Sequence, residues 1–155
     1  NRNAMSAICT AAEVETDYTI LVEKKYLRSF SMSKESQKYA RKLLAMDPPV
    51  VDAHLTLGMV EYVVSNLNWF YRLFVRFNRI EGSKDKAIEN LKAVVKGGRY
   101  YAPLAKILLS VIYLREKMPQ QALNLMREME RDFPENPLIQ SEVKKIAQKV
   151  ALLPQ

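Results

Sequence analysis

The sequence predicts an all-α protein, on three observations. Apolar residues recur at spacings of three and four along most of the chain. Pro, Gly and Ser fall between those stretches, where helices start and stop. Glycine is scarce, four in 155 residues against a usual share of about 7%. That scarcity disfavours phosphate-cradling loops, tight hairpins and many-stranded sandwiches, which all draw on glycine for positive φ. The length fits one domain over residues 1–155.

In chain order, a first helix is expected from Ala4 to about Arg28, with Ile8, Ala11, Ala12, Val14, Tyr18, Leu21 and Val22 as its spaced apolar residues. The Ser-rich joint Ser29–Ser33 offers Ser33 as N-cap of a second helix, which carries Tyr39, Ala40, Leu43 and Leu44 and stops at Asp47-Pro48-Pro49. A third runs from about Val50 to Ser65, with Ala53, Leu57, Val60 and Val64. Ser83 caps a helix bearing Ala87, Ile88, Leu91, Val94 and Val95, and Gly97-Gly98 stops it. Pro103 and Pro119 sit at helix starts, where a missing N–H costs nothing. Pro134-Glu135-Asn136-Pro137 separates the last two helices, and the final one spans 138–153.

These helices pair off and repeat. Leu109-Ser110-x-x-Tyr113, Ala122-x-x-x-Met126-x-x-Met129, Pro134 and Asn136-Pro137 fall in a 34-residue frame from Pro103 to Asn136. A second copy, over 51–98, begins Ala53-His54-x-x-Leu57-Gly58 and resumes at Ala87-x-x-x-Leu91-x-x-Val94. Gly58 and Ala87 are 29 positions apart where the frame needs 12, so this copy carries 17 extra residues, the length of 66–82. Upstream, Tyr39–Pro48 matches the second helix of another copy. The pattern resembles the tetratricopeptide repeat, over about Ser33 to Pro137. Small residues at Gly58, Ser110, Ala87 and Ala122 let helix backbones approach, and Leu57, Leu91, Leu109 and Met126 fill the space between pairs. The resemblance implies a right-handed α-solenoid fragment of stacked antiparallel hairpins, closed by a C-terminal capping helix. It also implies a non-enzymatic scaffold or adaptor that binds a protein or peptide segment in a concave groove lined by the first helix of each pair. In one copy the groove positions are Asp52, Leu55, Met59 and Tyr62; in the other they are Leu104, Ile107, Val111 and Leu114. Members that clamp a terminal carboxylate place Lys and Asn at several of these positions, whereas here they are mostly apolar.

Enzyme chemistry finds little support. One Cys and one His exclude an all-protein zinc or iron–sulfur site and an intrachain disulfide. Cys9 and His54 are the only nucleophile–base candidates, and nothing in the sequence brings them together. Glu13/Glu15, Glu116 and Glu128/Glu130 read as solvated helix faces. No catalytic site, cofactor or metal is expected.

The 17-residue insert is the least ordinary segment. It holds the only Trp and three of the five Phe. On a helix Trp69, Phe70, Leu73, Phe74, Phe77 and Ile80 share an arc of about 140°, while Arg72, Arg76 and Arg79 cluster opposite. A short amphipathic helix packed beside the stack, with its Arg side outward, is expected. The same pattern permits a basic module lying on an anionic membrane surface, given the chain's net charge of +7. An RNA-associated helical repeat ranks below both, because stacking needs the aromatics beside the basic groups rather than opposite them. No apolar run reaches the roughly 20 residues that span a bilayer. The expected location is the cytoplasm, or outside it with a signal removed.

Overall fold

A computed structural model describes residues 1–67 and 82–152. Among them the chain is all-helical and without strands. The helices are α1 (Arg2–Leu21), α2 (Tyr26–Leu44), α3 (His54–Ser65), α4 (Lys84–Gly97), α5 (Ala102–Arg115), α6 (Pro119–Asp132) and α7 (Pro137–Ala151), with a 3-10 turn, Val51–Ala53, leading into α3. They pack in neighbouring pairs, α1 with α2, α3 with α4, α5 with α6 and α6 with α7. The chain forms two compact units, Asn1–Arg99 and Tyr100–Gln155.

The helix boundaries follow local chemistry. The Asn1 side chain accepts from the amides of Asn3 and Ala4, Ser83 from Lys86, and Asn136 from Leu138 and Ile139, so three helix starts are satisfied by caps. Pro119 and Pro137 open α6 and α7 at a position that needs no N–H. The turn before α6 uses Lys117 at φ 61, and that before α2 uses Lys24 at φ 55.

The joint between α1 and α2 lies at Val22–Lys25 rather than at Ser29–Ser33. Ser33 is therefore no N-cap. It sits inside α2, where its hydroxyl donates to the Phe30 carbonyl at 2.9 Å, and Ser36 does the same to Ser33 at 3.0 Å. A serine that bonds back onto its own helix is satisfied without ending it. The burial of α1 is also the reverse of its expected apolar stripe. Val14, Tyr18 and Val22 are 61%, 56% and 61% exposed, while Cys9 and Thr19 are buried. Among the described side chains of α1, the fully buried ones, Cys9 and Thr19, are small.

In the first unit one cluster joins Cys9, Ala40, Leu43 and Ala53, with Met5, Leu44 and Leu57 against it. Arg2 donates to the carbonyls of Asp47 and Pro48 at 3.1 and 2.9 Å, tying the start of α1 to the segment after α2. The α3–α4 pair is close because Gly58 has no side chain. A Cβ there would stand 3.1 Å from the Ala87 carbonyl oxygen and 3.2 Å from Leu91 Cγ. Ala87, Leu91 and Val94 are completely buried. Asp52, itself buried, accepts from the Arg99 amide at 3.0 Å and holds the segment after α4 against the 3-10 turn.

In the second unit Ala105, Leu109, Ile112 and Tyr113 of α5 are buried, as are Ala122, Leu123, Met126 and Met129 of α6 and Ile139, Val143 and Ile146 of α7. Lys106 reaches from α5 to Asp132 at 2.8 Å and Glu128 at 3.3 Å on α6. Its hydrogen bond to Asp132 raises the ammonium pKa above the ordinary lysine range. Small residues at 110 and 122 and large ones at 109 and 126 are all buried, as the repeat spacing requires.

The chain leaves α3 through Asn66–Leu67 and returns at Gly82, where a Cβ would overlap the backbone of Ser65. The extra residues thus enter and leave at one place. Trp69, Phe70, Arg72, Phe74, Arg76, Phe77 and Arg79, on which the amphipathic-insert expectation rests, lie outside the described residues.

Candidate functional site

The α5 helix is built with two apolar faces. One, centred on Ala105, Leu109 and Ile112, is buried in the second unit. The other carries Leu104, Ile107 and Val111, which are 43%, 40% and 48% exposed, and Leu114, which is half-buried. Their spacing of three, four and three is that of a seam that receives another element. The other face is filled, so α5 cannot turn this stripe inward without exposing Leu109 and Tyr113.

The equivalent positions in the first unit are occupied differently. Leu55 and Tyr62 are buried, and Asp52 is spent on the Arg99 amide. Met59 is half-buried and lines a partly open pocket beside α1 and α2. Of the expected groove residues, therefore, only those on α5 form an exposed apolar stripe.

The chemically reactive side chains are held apart by their partners. His54 Nδ1 pairs with Asn90 Oδ1 across the α3–α4 contact. Asn90 Nδ2 donates to the Lys86 carbonyl at 3.0 Å and to Glu61 Oε2 at 3.4 Å. Burial of Glu61 raises its carboxyl pKa, against the lowering effect of Lys86. Cys9 Sγ donates to the Ser36 carbonyl at 3.5 Å and lies 3.8 Å from Thr56 Oγ1. Desolvation pushes its thiol pKa up, which keeps sulfur in the unreactive protonated form. His54 is thus a packing and hydrogen-bonding residue, and Cys9 a buried small one. Among the described residues no group of three or more His, Cys, Asp or Glu is placed to hold a metal ion. No described helix is long and apolar enough to cross a membrane.

A feature that sequence reasoning passed over lies between α1 and α2. Ser29, Ser33, Ser36 and Ala40 recur at four, three and four, and all are buried. Facing residues of α1, Cys9, Ala12, Thr16 and Thr19, recur at three, four and three. Thr56 of α3 adds a buried hydroxyl that donates to Glu13 Oε2 at 2.8 Å. The signal was present as a small-residue periodicity, but a hydrophobicity count gives such residues no weight. The chain matches no protein-family model, and comparisons with curated proteins and with solved structures likewise return no match.

Proposed function

We propose that the chain is a non-enzymatic interaction scaffold of the tetratricopeptide kind, which binds an apolar protein segment along the outer face of α5. The observation that supports this reading is the stripe Leu104, Ile107 and Val111, wet along a helix whose other face is already packed. Full burial of such side chains is worth about 1.5–3 kcal/mol each, so covering the exposed part of three of them gives a partner about 2–4 kcal/mol. Cys9 and His54 support it as well, since each is engaged in a structural contact.

A photo-reactive amino acid placed at Ile107 in the full chain tests this in cells that express it. One discrete protein adduct is expected at 107, none from the same probe at Gln121 on the exposed side of α6, and loss of the 107 adduct on adding Val111→Glu. Equal labelling from 107 and 121, or an adduct indifferent to Val111→Glu, contradicts the proposal.

A further inference from the structure

The outer side of α1 is apolar along the length of the helix. Ala4, Ala7, Ala11, Val14 and Tyr18 recur at three, four, three and four, with Ile8 and Val22 beside them, and all seven are exposed. On a helix these residues fall within an arc of about 120°, in which Glu15 is the one charged residue. The buried Cys9 stands on the opposite side. Ile8 is 46% exposed, and Val14, Tyr18 and Val22 are each more than half exposed. Polar residues ordinarily occupy the outer side of a surface helix, so a contiguous apolar face there marks a contact.

The face has a direction. Its N-terminal half carries Ala4, Ala7 and Ala11, and its C-terminal half carries Val14, Tyr18 and Val22. Two such helices side by side in parallel would set alanine against alanine at one end and tyrosine against tyrosine at the other, so they could not be close at both. Run antiparallel about a two-fold axis, Ala11 meets the second copy's Val14 and Ala7 meets the second copy's Tyr18, and symmetry repeats both contacts. Small then faces large in each pair, and the spacing of three and four is that of a seam between two helices. In this register Glu15 lies at the rim, level with the second copy's Thr10 rather than with another carboxylate. At these exposures the face offers about 500 Å2 per chain, so two copies bury about 1,000 Å2, the lower limit for a specific interface.

We propose that α1 is a self-association surface, on which a second copy of this chain docks its own α1 antiparallel, Ala7 against Tyr18 and Ala11 against Val14. The α5 stripe takes no part in this pairing. An interface of this size gives a reversible dimer, with a dissociation constant on the order of 10–100 μM. Each chain carries +7, so the pair forms against a long-range repulsion that salt screens.

Sedimentation equilibrium of the full chain from about 5 to 500 μM tests this. A monomer–dimer equilibrium is expected, at least about twofold tighter in about 500 mM than in about 50 mM sodium chloride. Val14→Glu should weaken the dimer at least about tenfold with the melting temperature unchanged, since position 14 is wet in the monomer. Val111→Glu on α5 should leave the dimer as it is. In a mixture of carbon-13-labelled and unlabelled chains, filtered cross-peaks are expected from the Ala11 methyl to the Val14 methyls and from the Ala7 methyl to the Tyr18 ring. The proposal fails if the chain stays monomeric at about 500 μM, which would give the face to a different protein. A dimer that weakens with salt also overturns it, since that marks attraction between opposite charges. So does a Val14→Glu chain that dimerises like the parent, or interchain cross-peaks that join Ala11 to Ala11 and Tyr18 to Tyr18. The cross-peaks decide alone should Val14→Glu not fold.

Discussion

Leu91→Ala is expected to lower the unfolding free energy by about 2–5 kcal/mol, a large part of what a domain of this size has. Leu91 is fully buried, and its Cγ lies against the bare face of Gly58. Gly58, the α3 position against Leu91, has no side chain to move into the space that truncation opens. The residue therefore belongs at the costly end of the large-to-small range. Urea denaturation at constant slope checks this; a midpoint within error of the parent chain would mean that Leu91 does not fill the α3–α4 contact.

The second large effect is in the other unit. Met126 is buried on α6, one turn after Ala122, which has no exposed surface at all. Met126→Ala should cost about 2–5 kcal/mol through the cavity it leaves. Ala122→Leu should cost about 1–3 kcal/mol for the opposite reason, since a larger side chain forces the helices apart. Paired urea titrations distinguish this from generic apolar burial. If Ala122→Leu stabilised the chain, the position would be under-filled and the small-residue role of Ala122 wrong.

Much of the fold was legible because its punctuation is local. Ser83 and Asn136 act through their side-chain oxygens on the next turn's amides, and Pro119 and Pro137 through their fixed φ, so these positions mark helix starts whatever packs around them. Gly58 was legible as a small residue, and the structure sets a Cβ there 3.1 Å from the Ala87 carbonyl oxygen, tighter than ordinary contact. The α1–α2 hairpin was not legible. Its turn, Val22–Lys25, has no Gly or Pro, and many of its buried residues (Cys9, Thr19, Ser29, Ser33, Ser36, Ala40) are hydroxyls and small groups, while the apolar Val14 and Tyr18 point to water. Periodic hydrophobicity reports transfer from water; close helix approach is decided by side-chain size, and in α1 the two disagree. The candidate site divides along the same line. Leu104, Ile107 and Val111 are exposed as a groove needs, because α5 has other residues for its core. Leu55 and Tyr62, at matching positions of the frame, are buried within the first unit, a consequence of packing that the frame does not encode.

The account rests on the small-against-large pairing of helices, and proton–proton contacts at Gly58 test it most directly. The structure places Asn90 Cβ and Leu91 Cγ 3.1 and 3.2 Å from where a Cβ on Gly58 would be. Strong nuclear Overhauser cross-peaks are therefore expected from the Gly58 α-protons to the Asn90 β-protons and the Leu91 side chain. Gly58 α-protons that show cross-peaks only within their own helix, in a chain that is otherwise folded, would contradict the pairing and the repeat frame built on it.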